Sequence, residues 1–412
     1  MNERAISGGT EFLNILVVAF LPFYCDGKVT FHNGGSVFYT ELLPGLAKLG
    51  HTVRVIAQAP AAQKGQKRTG LKWKIPRLTV EWFALEYRFG AIPSPSFLAR
   101  EKRDLRPVFN RMVKEQRPDI VIIGRQALVW NVLELCREYR LPSLLLPHGA
   151  PLSAFSPDTY PQAVQQDLAD RFRQVDMVVV VAKHLETLIR SLGVSNVCTI
   201  PNIADPARFC PKPKDPQLLK DLHLTAHQPV VSHLSVLKPA KRPLDIIASA
   251  ELVLRSRPDV VYVIVGDGPC RGEMEELGRK KGLASSFRYA GEIAHQQVPQ
   301  YLNLADIVVL PSEREGFPLV YREAQACGRV LIVSDIPAAQ EAIVDGETGR
   351  LFRLGDVQDL AAKTLAVVQD SALRHRIGEK ARTVAMAEDP LQWAQSYARV
   401  LSRAAANEKS SW

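Results

Sequence analysis

The sequence has no Cys-x-x-Cys pair and no cysteine at metal-ligand spacing from a histidine. Its six cysteines are scattered singly along the chain, at Cys25, Cys136, Cys198, Cys210, Cys270 and Cys327. This distribution does not indicate a disulfide framework or a zinc-binding fold, so no metal site is predicted. Unpaired thiols are typical of a reducing compartment, and we expect a cytoplasmic protein.

A long apolar segment is also missing. The run LNILVVAFLPFY holds 12 residues, whereas a helix that crosses a bilayer needs about 20. The residues before it carry no net positive charge, and the FYC that ends it is a poor cleavage site, so a signal peptide is not predicted. We interpret the run as a buried strand.

The positive charge is concentrated in one region. The chain of 412 residues has a net charge of +9, and residues 51–140 contain 18 basic against 8 acidic side chains. Within that region, residues 64–83 interleave basic and aromatic side chains: Lys72, Lys74 and Arg77 with Trp73, Trp82 and Phe83. Such a segment would suit an anionic membrane surface, a nucleic acid or an acidic acceptor. A solvated basic face whose rings pack inward is an equally good interpretation.

Apolar strands and amphipathic helices alternate through both halves of the chain. In the first half, strands are predicted at 13–20, 51–58 and 119–124, and another runs into a loop at 142–149. Helices are predicted at 36–49 and 127–140, and residues 175–193 are predicted as a strand that runs into a helix. Residues 201–216, rich in proline and turn formers, indicate a linker. A second alternating set follows, with strands at 229–236, 260–268, 287–293, 306–312 and 330–335. Helices are predicted between these strands, for instance at 243–255 and 272–281. This order predicts two doubly wound α/β domains with parallel sheets, each binding ligands at the carboxyl ends of its strands.

A glycine pair lies between the first predicted strand and helix. Gly34 and Gly35 would let the backbone approach a ligand closely, and Ser36 can cap a helix whose free amides face an anion. No GxGxxG motif occurs at this point, which disfavours a dinucleotide fold. A phosphate site is the hypothesis, and a simple turn is the alternative.

Three basic residues share one loop in the second half. In HLSVLKPAKRP, Lys238, Lys241 and Arg242 follow a predicted strand. Cations placed there could neutralise a diphosphate and stabilise the charge that develops on a departing phosphate. The alternative is a solvated turn.

The stretch EGFPLVYREAQACG, residues 315–328, holds two glutamates around a predicted helix start. Pro318 suits a first helical turn and Gly328 a helix end, so the amides of residues 317–320 would face an anion. Glu315 precedes the helix and Glu323 lies inside it, where both could accept hydrogen bonds from sugar hydroxyls. Two glutamates at this spacing are otherwise commonly solvated.

Together with its flanks, this stretch resembles the E-x7-E signature of retaining glycosyltransferases of the GT-B fold, family 4. Further segments match that family in the same order: LAKLGHTVRVIA, PHGAP, VIVGDGP, YAGEI, LADIVVLPSEREGFPLV and DGETGRLF. The resemblance implies two Rossmann-like domains facing each other across a cleft. Residues 1–205 with the C-terminal helix 390–412 would bind the acceptor, and residues 206–389 the nucleotide-sugar.

The resemblance also implies roles for individual residues. Catalytic roles fall to His148 near the reacting carbon, Lys241 on the diphosphate and Glu315 on the donor sugar. Glu323 would bind the ribose. The remaining donor-binding positions implied are Gly34, Gly35, Lys238, Ile293, Gly316, Phe317, Pro318, Leu319 and Val320. Val236 stands where most members have an arginine, and Lys238 is its expected substitute.

The implied reaction is a metal-independent, retaining transfer of a hexosyl group, with a UDP-sugar favoured over GDP- or ADP-sugars and no cofactor. The acceptor is unidentified: a small molecule, a glycan or a lipid-linked sugar, the last of which would suit a peripheral membrane contact through residues 64–83. No nucleic acid is expected as a partner. The alternatives are a basic membrane- or nucleic-acid-binding protein with a vestigial cleft, and an epimerase or phosphorylase of the same architecture.

Overall fold

The computed structural model describes residues 12–21, 23–25, 28–31, 34–60, 68–70, 74–85, 94–149, 151–152, 155 and 160–406. The chain divides into two compact units. Unit 1 comprises Met1–Pro201 with Pro390–Trp412, and unit 2 comprises Asn202–Asp389. The division after Pro201 falls at the start of the proline-rich segment 201–216 that the sequence indicates as a linker.

Unit 1 is built on a seven-stranded parallel sheet with the strand order β10-β9-β8-β7-β1-β4-β6, and β2 pairs antiparallel with β3 and β5 in a separate small sheet. Its strands are β1 (Asn14–Phe20), β2 (Phe23–Cys25), β3 (Lys28–Phe31), β4 (Thr52–Pro60), β5 (Arg68–Gly70), β6 (Leu78–Leu85), β7 (Ile120–Ile123), β8 (Ser143–Leu145), β9 (Met177–Val180) and β10 (Val197–Thr199). Every residue of β1 is buried, as expected for a central parallel strand covered on both faces.

Helices follow the strands of this sheet in unit 1. They are α1 (Gly34–Lys48), α2 (Pro95–Glu115), α3 (Val129–Glu138), α4 (Gln162–Gln174) and α5 (Lys183–Ser191). Helix α2 begins at an N-cap, Ser94, whose hydroxyl accepts a hydrogen bond from the amide of Phe97.

Unit 2 has a six-stranded parallel sheet with the order β13-β12-β11-β14-β15-β16. Its strands are β11 (Val230–Leu234), β12 (Val261–Val265), β13 (Phe287–Gly291), β14 (Ile307–Leu310), β15 (Val330–Ser334) and β16 (Arg350–Phe352). Its helices are α6 (Pro216–Asp221), α7 (Pro243–Ser256), α8 (Arg271–Lys280), α9 (Val298–Leu304), α10 (Leu319–Ala326), α11 (Pro337–Ala342), α12 (Val357–Gln369) and α13 (Ser371–Met386). The order reverses between β11 and β14, so the loops after these two strands meet at the ligand-binding edge typical of doubly wound sheets.

The last helix, α14 (Pro390–Ala405), completes the core of unit 1. Its Trp393 and Tyr397 pack edge-on against Phe38 of α1, with ring centroids 5.2 and 5.7 Å away. The Trp393 indole also donates a hydrogen bond of 2.8 Å to the carbonyl of Pro201. The C-terminal helix therefore packs on the N-terminal sheet unit, as the fold predicted from the sequence requires.

Replacing Trp393 by Phe keeps most of this packing and removes the indole donor. We expect the free energy of unfolding to fall by about 1–2 kcal/mol, because the hydrogen bond to the Pro201 carbonyl is lost in a buried place. Urea unfolding followed by circular dichroism measures the loss. Leu391→Ala, at an exposed position of the same helix, should stay within about 0.5 kcal/mol of the wild type.

The basic segment 64–83 lies partly outside the described residues, including Lys72 and Trp73. Its described end forms β6, the last strand in the order of the sheet, where Trp82 is 36% exposed. A guanidinium nitrogen of Arg77 donates a hydrogen bond to the carbonyl of Gly50. Contact of this segment with a membrane stays a prediction, and no described helix is long and apolar enough to cross a bilayer.

Candidate functional site

The basic loop between β11 and α7 is held against the loop that follows β12. The amide of Leu237 donates to the carbonyl of Asp267 at 2.9 Å, and the amide of Cys270 donates back to Leu237 at the same distance. A Cβ atom at Gly266, where φ is 118°, would lie 1.9 Å from the Ser235 carbonyl oxygen. Gly266, the first glycine of VGDGP, is therefore required for this close approach, which positions the basic loop.

The loop ends in a short 3₁₀ turn, Pro239–Lys241, that brings Lys241 to Glu315. Lys241 Nζ and Glu315 Oε1 form an ion pair, with the two side chains only 17% and 10% exposed. The amide of Glu313 donates to the carbonyl of Ala240 at 2.9 Å, which ties the segment after β14 to this turn. Two residues predicted from separate motifs thus lie in direct contact.

Lys238 lies beside this pair on the same loop. Its side chain is exposed, yet the protein atoms crowded around its ammonium group, and then the charge of Lys241, lower its pKa. Val236, at the position where the family's arginine is expected, is 49% exposed. The assignment of Lys238 as the arginine's substitute stays a prediction.

Helix α10 starts where the sequence predicts it. Its N-cap is Pro318, with φ −67° and ψ 134°, and no side chain among the described residues caps its first turn. The side-chain amide of Asn202 donates to the Phe317 carbonyl at 2.6 Å, which fixes the backbone just before the helix. The amide of Tyr321 donates to the Pro318 carbonyl at 3.1 Å, and a helix start without a side-chain cap has further amides that can bind an anion.

Glu323 lies in the second turn of α10 and is buried. Its Oε1 lies 2.6 Å from Nε2 of His295, which follows Ile293 by two residues. Ile293 is itself buried at the end of the YAGEI motif. Neither His295 nor its partner Arg208 was singled out by the sequence analysis, because neither stands in a motif that indicates a site.

Arg322, next to Glu323, forms an ion pair with Glu388. Its Nε lies 2.9 Å from Glu388 Oε1, and its guanidinium lies over the ring of Phe317 at 5.3 Å. Burial raises the pKa of Glu388 to about 7, although Arg322 acts in the opposite direction. The last residues of unit 2 are thereby attached to helix α10.

The raised pKa of Glu388 predicts a pH dependence of stability. Its ordinary value is 4.5 and its folded value about 7, so the folded state favours the protonated form. The stabilisation is complete below about 4.5 and is lost as the pH rises through about 7. Between pH 5 and 8 we expect the wild type to lose about 1–2 kcal/mol of its free energy of unfolding through this group, and Glu388→Gln not to show this loss. Urea titration at each pH measures the free energy of unfolding of both proteins. Equal slopes for both proteins would contradict this assignment.

His148 lies in unit 1, directly after β8. Its backbone has φ 52°, its Nε2 lies 3.2 Å from the hydroxyl of Tyr39, and that hydroxyl donates to the Gly124 carbonyl at 2.7 Å. Burial, and then the charge of Arg125, lower the pKa of His148 to about 4. The imidazole is therefore neutral at physiological pH and can exchange hydrogen bonds with a neutral hydroxyl. Tyr39 was not predicted from the sequence.

The glycine pair of unit 1 opens helix α1, which begins at Gly34 and has Gly35 half-buried in its first turn. A role under the diphosphate stays a prediction for both. In the described part of the chain, no group of three or more His, Cys, Asp or Glu side chains could hold a metal ion.

Two family sequence models together span most of the chain. Residues 32–208 match the family described as Glycosyltransferase Family 4, and residues 215–384 match Glycosyl transferases group 1. The chain belongs to glycosyltransferase family 4. Its two parallel sheets with flanking helices are those of the GT-B fold.

Individual known proteins match parts of the chain. The N-acetyl-alpha-D-glucosaminyl L-malate synthase of Bacillus anthracis is 30% identical over 167 residues, which is 40% of this chain and 43% of that protein. The 2-deoxystreptamine N-acetyl-D-glucosaminyltransferase of Streptomyces fradiae is 27% identical over 63% of this chain and 65% of its own length. The chain thus spans less than two thirds of the length of these relatives.

The fold is matched more completely than the sequence. The crystal structure of Anabaena HepE in complex with UDP and glucose has a TM-score of 0.75 and 19% identity, covering 95% of this chain and 99% of that one. At this identity the likeness supports the fold alone.

Proposed function

We propose that this family 4 member is a retaining glycosyltransferase that moves a hexosyl group from a nucleotide-sugar to an acceptor that is still unidentified. The observation that carries the proposal is the cluster in unit 2: Lys241 in contact with Glu315, and Glu323 buried inside α10. These groups come from the loops and helix that follow β11 and β14, adjacent strands of the sheet. Cations, carboxylates and a free helix start are what a sugar diphosphate requires.

The donor's parts correspond to separate groups of the cluster. Lys241, with Lys238 beside it and the amides of Gly316, Phe317, Leu319 and Val320, would bind the diphosphate. Glu315 would accept hydrogen bonds from the sugar hydroxyls, and its ion pair with Lys241 would orient that lysine. Glu323 would accept hydrogen bonds from the ribose, and the backbone at Ile293 would meet the base.

The proposed reaction is a front-face displacement. The bond from the anomeric carbon to the diphosphate oxygen breaks, and a bond from the same carbon to an acceptor oxygen forms on the same face. The acceptor's proton goes to the departing phosphate oxygen, so the nucleoside diphosphate leaves as the conjugate acid. Lys241 stabilises the negative charge that grows on that phosphate, which is a large contribution to the rate in such reactions. We further propose that no metal ion or cofactor takes part.

A UDP-sugar is the favoured donor. The N-acetylglucosaminyl group occurs in the names of two relatives, and the matched Anabaena structure contains UDP and glucose. We therefore name UDP-N-acetylglucosamine and UDP-glucose as the first donors to test, with GDP- and ADP-sugars as further candidates. A lipid-linked acceptor would bring residues 64–83 to an anionic membrane surface from the cytoplasmic side.

A thermal-shift panel of nucleotide-sugars in EDTA tests this proposal. A donor present at about 100 times its dissociation constant adds about 2.7 kcal/mol of apparent stability, which raises the melting temperature by several degrees. We expect one UDP-sugar to stabilise the protein without added metal. UDP-sugars that carry a different sugar should stabilise it less. Stabilisation by liposomes or RNA, with none by any nucleotide-sugar, would instead support a binding protein. Consumption of the donor without an acceptor would support an epimerase or phosphorylase.

A further inference from the structure

Glu323 is one end of a chain of three side chains in unit 2. Its Oε1 lies 2.6 Å from Nε2 of His295. The other ring nitrogen of His295, Nδ1, lies 2.9 Å from a guanidinium nitrogen of Arg208. The same nitrogen of Arg208 lies 2.6 Å from the carbonyl oxygen of His295, so one guanidinium holds both the ring and the backbone of this residue.

The chemistry of the two ends determines the protonation of the ring between them. A guanidinium can only donate hydrogen bonds, so Nδ1 must present its lone pair to Arg208. A carboxylate can only accept, so Nε2 must carry the proton that points to Glu323. The imidazole is therefore neutral and in a single tautomer, and it donates to one chosen oxygen of Glu323.

The surroundings make this arrangement rigid. The side chains of His295 and Glu323 are 15% and 6% exposed. The ring of Phe209, which follows Arg208 in the chain, lies 5.8 Å from the imidazole. With Oε1 occupied by His295, the carboxylate cannot rotate freely about its last bond. Among the described residues, His295 is the side chain that bonds to this carboxylate, which leaves Oε2 to a ligand.

We propose that His295 is a positioning residue for nucleotide binding: it holds Glu323 so that Oε2 faces the ribose hydroxyls, and Arg208 keeps its imidazole in the donating tautomer. This inference rests on the proposed function, because it takes Glu323 as the ribose ligand. It adds two residues to the site, Arg208 from the linker and His295 from the turn before α9. Neither of them belongs to the E-x7-E motif. His295 itself does not touch the donor.

Two substitutions of His295 separate positioning from packing. In His295→Gln the side-chain amide nitrogen replaces Nε2 and can still donate to Glu323. In His295→Asn the shorter amide can still meet Arg208, but it cannot reach Glu323. Both variants are uncharged and polar, so a purely structural role would make them similar.

The experiment measures the dissociation constant of the nucleoside diphosphate that wild type binds most tightly among UDP, GDP and ADP. Calorimetry is repeated with the 2′,3′-dideoxy form of that nucleotide, which lacks both ribose hydroxyls. We expect His295→Asn to weaken the natural nucleotide about tenfold or more, and His295→Gln to stay within about threefold of wild type. With the dideoxy nucleotide, all three proteins should bind within about twofold of one another.

The outcomes distinguish the positioning role of His295 from the proposed function of the protein. If wild type binds one of the nucleotides and the Gln and Asn variants are weakened alike, the positioning role is wrong while the proposed function stands. A loss in His295→Asn that persists with the dideoxy nucleotide also overturns it, because the effect would not pass through the ribose. If wild type binds none of the three nucleotides, the proposed function fails and the positioning role with it. Melting temperatures of the variants exclude a loss caused by unfolding.

Discussion

Replacing Lys241 by Ala should lower kcat by about 10²- to 10³-fold, the loss typical when one group that stabilises a developing negative charge is removed. In the structure Lys241 is largely buried and held by Glu315, so its ammonium group is oriented before the donor arrives. The charge on the leaving phosphate grows as the bond breaks, and the effect on kcat should therefore exceed the effect on the KM for the donor.

Lys238→Ala is the matched control for Lys241. It removes the same charge from the same loop, at a position that is exposed. We expect a smaller loss, of about tenfold, because the ion pair with Glu315 orients Lys241, whereas the side chain of Lys238 is more exposed. Steady-state kinetics with the donor found by thermal shift measures both variants. A kcat for Lys241→Ala within threefold of wild type would remove this lysine from the proposed mechanism.

Replacing Glu323 by Ala should weaken nucleotide binding about 10- to 100-fold. Hydrogen bonds to a buried charged group contribute about 1.5–3 kcal/mol each, and the truncation also leaves the Nε2–H of His295 without its acceptor. Calorimetry with the nucleoside diphosphate measures the loss. The kcat at saturating donor should change less than the dissociation constant, because the ribose is far from the bond that breaks.

Glu276→Gln serves as the control for Glu323. Glu276 lies in α8 and makes exposed ion pairs with Arg279 and Lys280. Its replacement should leave the dissociation constant unchanged, since surface pairs of this kind contribute little. Binding by Glu323→Ala as tight as that of the wild type would show that α10 does not carry the ribose ligand.

The strand and helix pattern of the core could be predicted from sequence because burial on both faces leaves a strong signal. The predicted strand at 306–312 contains β14, and the predicted helix from Leu319 contains α10. Strand β6 and helix α2 were not predicted. Strand β6 is the last strand in the order of its sheet and follows a basic segment, so it does not form a continuous apolar run. Helix α2 does have a helical apolar period, at Leu105, Phe109, Met112 and Val113, and it was missed because most of its other residues are polar.

The candidate site was predictable only where a motif carries it. Lys241, Glu315 and Glu323 stand in motifs that match the family, and the structure brings Lys241 to Glu315 across 74 positions of sequence. That these two pair with each other did not follow from the motifs. Arg208 and His295 are 87 positions apart in segments without a recognisable pattern, so only the folded chain shows their contact.

The position of helix α14 has a consequence for how the chain is made. Its Trp393 and Tyr397 cover Phe38, yet the ribosome releases them only after all of unit 2 has been synthesised. Unit 2 can therefore reach its native fold while unit 1, although translated first, still exposes part of its aromatic core to chaperones and to aggregation. The core of unit 1 is therefore completed by a helix that is translated after unit 2.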